Sequence, residues 1–282
     1  MLIQVLNGIV YGGLLYLLAV GLVLIFGLRE VINFAHGALF MLGAYIGFSV
    51  ASAGYWWGGL VVSVAVMAIV GCALDATVFR ALRKQDHIVT VLVTFGLLLI
   101  LETVVTTIWG RAYLRYPVPA LLSGTVVIAG SPFPIYRLFV IGVSVIVALS
   151  LTAWLRLTRV GLYVRAASTD ARITSIQGIN VNRLSLIVVG LGTALAGLSG
   201  VVAGPLLTLS PTMGSYILID SFIVVVIGGL GSFAGAFAAA LLIGQIHNFG
   251  AIYLPWAATI LPFLLMVAIL IWRPTGLAGS HT

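Results

Sequence analysis

An all-α, polytopic membrane protein is the fold class this sequence predicts, with about eight or nine transmembrane helices and at least one of them broken or re-entrant. Three observations carry that prediction. Of the 282 residues, 62% are hydrophobic and 7% charged, and mean hydropathy is +1.26; a soluble domain would be about a quarter charged and roughly half apolar. Several stretches reach the ~18 apolar residues that mark a membrane span, more than one soluble core could bury. One long apolar window is interrupted by "GGLGS" at 228–232. A β-barrel would instead show alternating segments of about ten residues. The chain, 1–282, reads as a single transmembrane domain with a cytoplasmic loop at about 156–183.

The first span opens the chain. "MLIQVLNGIVYGGLLYLLAVGLVLIFGLRE" (1–30) lacks a basic leader, and its apolar run is too long for a signal peptide, so it is read as a retained helix. Apolar windows fall at roughly 5–28, 37–53, 58–79, 88–110, 136–155, 184–207, 216–246 and 253–272. The formal net charge is +7. Its basic residues sit at the ends of spans, so topology explains them better than nucleic-acid binding. The one cysteine, Cys72, lies in an apolar run, which excludes an intramolecular disulfide and a cysteine-based metal site.

The loops set the topology. "RALRKQDH" (80–87) contains Arg80, Arg83 and Lys84, and the loop at 157–184 contains Arg159, Arg165, Arg172 and Arg183. Both are expected in the cytoplasm. The connection 111–135, with Pro117, Pro119, Pro132 and Pro134, reads as an ordered external loop. Arg273 puts the C-terminus inside, and the N-terminus extrapolates to the outside. From the charge-poor stretch "TLSPTMGSY" (208–216) to Arg273 the chain must cross an odd number of times, yet only two windows lie there. The first must therefore hold a re-entrant half-helix or two short spans, with a discontinuity at Gly228, Gly229 and Gly231. Broken helices at membrane depth are tolerated where they line a cavity or are buried in protein.

Within the 157–184 loop, residues 168–178 have the chemistry of one short helix. Ser168 or Thr169 can cap it, Asp170 in its first turn complements the dipole, and Gly178 can end it in a left-handed conformation. About eight residues are enclosed, roughly 12 Å of helix. Such a helix is marginal alone and needs something packed on it, from this chain or another protein.

The next window carries small residues at four-residue spacing, Gly192, Ala196, Gly200 and Gly204, and the following one repeats the device with Gly231, Gly235 and Ala239. These stripes serve close helix packing, within this chain or against another subunit. Polar groups at membrane depth are functional suspects. Asn33 and His36 interrupt the apolar run after the first span, Thr94 and Glu102 lie in the fourth window, and Asp220 begins the glycine-broken segment. Asn33 and His36 could equally satisfy backbone groups freed at a helix break. Glu102 has no sequence-local cation, so its partner comes from another helix or it faces water. No phosphate-binding loop, HExxH, paired-carboxylate or nucleophile-elbow arrangement is present, so no catalytic or cofactor site is expected in this chain.

Five stretches together resemble the permease subunits of ATP-binding-cassette importers for branched-chain, or hydrophobic, amino acids. They are "LNGIVYGGLLYLLAVGLVLIFGLREVINFAHGALFMLGAY" (6–45), "VTFGLLLILETVVTTIWG" (93–110), "RVGLYVRAASTDARITSIQGINVNRLSLIVVGLGTALAGLSGVVAGP" (159–205), "VVVIGGLGSFAGAFAAALLIG" (224–244) and "WRPTGLAG" (272–279). The resemblance implies one membrane half of a bacterial inner-membrane importer. A periplasmic binding protein would deliver substrate, a second, paralogous permease subunit would complete the path, and two ATPase subunits would bind the ATP and Mg. It also implies that 168–178 is the helix that couples to the ATPase, with Arg165, Ala166, Asp170, Arg172 and Gly178 as its contact positions. The importer signature of Glu-Ala-Ala followed by a glycine is not met: Ala166-Ala167 follows an arginine and the first glycine is Gly178. The substrate implied is leucine, isoleucine or valine. A passive channel or secondary carrier for urea or short amides is the competing reading, and in a proton-coupled carrier Glu102 would carry the proton.

Overall fold

The computed structural model describes residues 1–29, 33–82 and 85–278. Eleven α-helices lie among them: α1 (Leu2–Arg29), α2 (Ala35–Ala51), α3 (Trp56–Leu74), α4 (His87–Trp109), α5 (Ile135–Leu157), α6 (Arg159–Thr169), α7 (Ala171–Ile176), α8 (Val181–Ala203), α9 (Met213–Gly228), α10 (Phe233–Tyr253) and α11 (Leu261–Trp272). A π-helical turn, Asp75–Phe79, continues α3. Six helices are long and apolar enough to cross a membrane; α2, α9 and α11 are apolar but shorter, at 17, 16 and 12 residues. The protein is thus an all-α, multi-pass membrane protein.

The long window at 216–246 is two helices, α9 and α10, parted at Gly229–Ser232, where the sequence places the discontinuity. With α11 this makes three helices between residue 208 and Arg273, of which α10 is long and apolar enough to cross a membrane and α9 and α11 are shorter. The separation is enforced at the backbone: Gly229 and Gly231 take φ of +95° and +84°, in the left-handed region. Ser232 then restarts the helix by accepting the Gly235 N–H at 3.1 Å as an N-cap. Gly231 consequently lies in the break and is not a member of a helical packing stripe with Gly235 and Ala239.

Burial sorts the helices by role. Most of the apolar span of α1 (83%) and α8 (72%) is buried, against 22% for α3, α4 and α5. The first pair forms the centre, with α2 beside it, and the second group turns Val61, Ile69, Leu92, Ile100, Ile146 and Leu149 outward, the side a bilayer would cover. The small-residue stripe of α8 is spent inside the chain. Gly192 abuts the backbone of Gly21, Gly200 that of Phe40 and Ala44, and Gly204 the ring of Tyr116. Close packing of this kind stabilises helices in lipid through dispersion, because hydrophobic burial between helices adds little there.

Both ends of the bundle are recognisable. At one end Asn248 donates to the Gln4 carbonyl at 2.8 Å, Arg137 donates to Asn7, and Trp109 donates to Ser49 at 2.8 Å. These contacts join the start of α1 to the end of α10 and the start of α5, and the end of α4 to the end of α2. The 111–135 loop, expected to be external, sits here and contains an antiparallel hairpin, β1 (Thr125–Ile128) with β2 (Ser131–Pro134), which the sequence reading did not anticipate. Ala129 and Gly130 turn it with φ of +50° and +79°, the double-positive turn that matches strand twist. Pro132 and Pro134 are tolerated because β2 is an edge strand. Burial pushes the phenol of Tyr116, in the same loop, above its ordinary value. The opposite end, the one the basic loops predict to be inner, gathers the last turns of α1 and α5, α6 with α7 beside it, the break at 229–232 and residues 276–278. All four helix starts with side-chain caps among the described residues, at Thr158, Asp170, Asn180 and Ser232, belong to this end.

Candidate translocation path and coupling end

The short helix in the arginine-rich loop exists, but with different boundaries. Asp170 is its N-cap and not a first-turn residue: one carboxylate oxygen accepts the Arg172 and Ile173 N–H groups, each at 2.8 Å. Ser168 and Thr169 end the preceding helix α6 and donate back to the carbonyls of Val164 and Arg165, so neither is free to cap. A carboxylate accepts two N–H groups at once and carries charge that suits the helix dipole, which is why it takes this position. The helix therefore has six residues, Ala171–Ile176, and Gly178 follows it at φ +84° as expected. Thr174 is buried, while Ile173 and Ile176 are 56% and 77% exposed. Arg165, Ala166 and Arg172 are exposed beside them.

The structure brings the preceding helix, α6, onto the glycine break, which the sequence reading had kept separate. A cavity of about 650 Å³ is walled by Gly27 of α1, Arg156 of α5, Arg165 and Ser168 of α6, and Gly231 and Ser232 of the break. The break is held from behind by the C-terminal segment. Leu277 and Ala278 donate their N–H groups to the Ile227 and Gly228 carbonyls at 2.8 and 3.2 Å, satisfying acceptors left free at the end of α9. Gly228 itself has no room for a side chain, since a β-carbon there would meet Gly235 carbonyl carbon at 2.6 Å.

The five polar suspects divide among four places. Asn33 and Thr94 share one place: the Phe34 N–H, next to Asn33, donates to Thr94 Oγ1 at 3.3 Å, and both residues line a second cavity of about 380 Å³ together with His87, Thr90 and Ala171. Asn33 also accepts the Ala35 N–H at 3.0 Å, starting α2. His36 is fully buried with Nε2 3.1 Å from the Leu18 carbonyl, eleven residues or about 16 Å before the end of α1. Helix α2 therefore begins well inside the bundle. Glu102, farther along α4, accepts the Ser215 hydroxyl from α9 at 2.5 Å.

Asp220 does not begin the broken segment; it lies mid-way along α9, about two turns before Gly228. Tyr11 of α1 donates to its Oδ2 at 2.7 Å, and the Tyr11 ring stacks on His247 of α10 at a centroid distance of 4.3 Å. One tyrosine thus ties three helices. Tyr11→Phe keeps the stacking and removes the donor, so it is expected to destabilise the protein by about 1–3 kcal/mol. The check is thermal unfolding in detergent: a drop in Tm that largely disappears when Asp220→Leu is the background, because the carboxylate left without a donor is then gone.

Asp75 went unread in the sequence, although it is an acid within an apolar window, the same signal that marks Glu102. It is fully buried in the π-turn and accepts the Ser185 hydroxyl from the first turn of α8 at 2.8 Å. Tyr11, Ser215 and His247 were also missed, since each matters only through a partner more than 100 residues away. Among the described residues no group of three or more His, Cys, Asp or Glu side chains is placed to hold a metal ion.

Comparison with known proteins places this architecture. Residues 4–270 match the family described as branched-chain amino acid transport system / permease component. The high-affinity branched-chain amino acid transport system permease protein BraD of Pseudomonas aeruginosa is 28% identical, covering 98% of this chain and 95% of BraD. The corresponding LivH proteins of Escherichia coli and Salmonella typhimurium are 26% and 25% identical, each match covering 98% of this chain and 94% of LivH. The ribose import permease protein RbsC of Escherichia coli is 35% identical over 107 residues, 35% of this chain. No solved structure matches.

Proposed function

The chain belongs to the branched-chain amino acid transport permease family, and from that premise we propose that it is one membrane half of an ATP-driven importer in a bacterial inner membrane. A second permease subunit completes the translocation path. A periplasmic binding protein delivers leucine, isoleucine or valine at the outer end, and two ATPase subunits, which hold ATP and Mg, act at the inner end. The bundle makes eight or nine passages, with α2, α9 and α11 supplying the short ones.

One observation carries this reading. Helix α7 is capped at both ends, by Asp170 and Gly178, yet its two isoleucines stand in solvent. A six-residue helix does not persist on its own propensity, and exposed isoleucines on a defined helix suit a partner's cleft. On this reading the ATPase grips α7, α6 carries the displacement to the cavity at Gly231 and Ser232, and the break lets α9 and α10 move relative to α1. The permease has the positioning parts and the ATPase the chemistry. Asn33 and Thr94, in the cavity that also touches Ala171, lie where substrate would leave toward the cytoplasm.

The test is reconstitution. The chain, co-assembled with its second permease and two ATPase subunits in proteoliposomes, is expected to accumulate branched-chain amino acids only with ATP inside the ATPase compartment and binding protein on the opposite side. Equilibration of urea or short amides without ATP would replace this reading with a passive pore.

A further inference from the structure

Glu102 is a carboxylate inside a membrane-length helix with too few partners. Among the described residues its single side-chain donor is Ser215, and no cation pairs with it. It is only partly buried. A carboxylate within a membrane-length apolar helix is stabilised by hydrogen bonds and by an opposite charge beside it, and Ser215 supplies only the first.

Its surroundings are the seam where α4 and α9 flank α2. Helices α4 and α9 each pack on α2 rather than closely on one another. Phe95, Leu99 and Glu102 recur at helical spacing along α4, and Ser215, Ile219 and Phe222 do so along α9. Phe34, at the start of α2, closes the inner end of the seam against both walls, with ring centroids 6.3 Å from Phe95 and 5.2 Å from Phe222. Leu99 and Ile219 each lie one turn inward of the Glu102–Ser215 pair on their own helices and are about half exposed. A polar, anionic spot therefore sits one helical turn, about 5 Å, above an aliphatic one, and an aromatic barrier follows.

We propose that Glu102, supported by Ser215, holds the ammonium group of the transported α-amino acid while Leu99 and Ile219 receive its aliphatic side chain. The proposal rests on the permease reading and sharpens it: the ligand class is a neutral amino acid bearing a cationic amine, and urea or a simple amide brings no charge to Glu102. A positive ammonium supplies the charge that the site lacks, through a hydrogen bond to a charged acceptor.

The experiment uses the complete transporter, with ATPases and second permease, in which Cys72→Ser removes the native thiol and Ile219→Cys places a reporter in the seam. Maleimide labelling of the reporter is timed with leucine, with isoamylamine (amine without carboxylate) and with 4-methylpentanoate (carboxylate without amine). Leucine and isoamylamine are expected to slow labelling, and 4-methylpentanoate is not. In the Glu102→Gln background the protection midpoint should weaken about tenfold or more, the loss that follows removal of a charged hydrogen-bond partner. Glu102→Asp should keep the order of the three probes. Equal protection by the acid, protection by none of the three, or protection indifferent to Glu102→Gln would overturn the assignment. If Glu102→Gln does not assemble, the order of the probes on the Glu102 protein decides alone. ATP-driven leucine uptake is measured on the same preparation: uptake without the expected probe order defeats only the ammonium site, whereas no uptake defeats the permease reading beneath it.

Discussion

Replacing Gly200 with valine is expected to abolish recovery of a monodisperse protein from membranes. A β-carbon at this position would fall 2.8 Å from the Ala44 amide nitrogen and closer still to the Phe40 carbonyl oxygen. Both obstacles are backbone, in the middle of α2, so no side chain can turn aside. The helices would have to separate. Overpacking a tight interior costs about 1–3 kcal/mol even where side chains give way, and here α2 and α8 would also lose the close contact that substitutes for hydrophobic driving force in lipid. The matched control is Gly142→Ala on α5, where nothing lies within 4 Å; relief of the glycine's entropic cost should leave it as stable or slightly more so. Size-exclusion profiles and melting of the two variants decide the matter. A wild-type profile for Gly200→Val would mean that α2 and α8 do not approach this closely.

Gly178→Val is expected to separate ATP hydrolysis from uptake without preventing assembly. The residue has φ +84° and open space around it, so valine meets no neighbour; the strain is in its own backbone. A left-handed conformation costs a non-glycine residue about 1–2 kcal/mol, and β-branching makes it worse. Asp170→Arg attacks the other end. It removes the acceptor of two N–H groups, worth about 0.5–2 kcal/mol at an N-cap, and sets a cation against the positive end of the helix. A helix of six residues has no length over which to absorb either change. In the reconstituted importer both variants should hydrolyse ATP while uptake falls several-fold. Gly178→Asn, which tolerates the left-handed region, should stay near wild type. Tight coupling retained in both disruptive variants would show that α7 does not carry the stroke.

Much of the arginine-rich loop was legible because its signals are local. A cap, a dipole-compensating acid and a glycine act within three or four residues, so "STDARITSIQG" announced a short helix and its end. The identity of the cap was not legible. Ser168, Thr169 and Asp170 are all competent cap residues, and the choice was made where α6 ends, since its last two hydroxyls bond backward into α6. The hairpin at 125–134 hid for a related reason: its strands are short and proline-bearing, and Ala-Gly is a weak turn signal beside Asn-Gly.

By itself, the sequence determined the membrane class and the break at Gly229–Ser232. Each follows from composition, charge placement or backbone freedom, properties that need no partner. Only the tertiary structure decided where the polar residues went. Glu102 found Ser215, Asp220 found Tyr11, Asp75 found Ser185, and His36 found a backbone carbonyl of α1. Those pairings depend on which helices adjoin and at what height, which the close glycine contacts of α1, α2, α8 and α10 set. In a bilayer the pattern of apolar residues marks what lies in lipid, but nearly every face is apolar, so the pattern cannot say which face meets which. Backbone proximity at glycine does that, and it is a property of pairs.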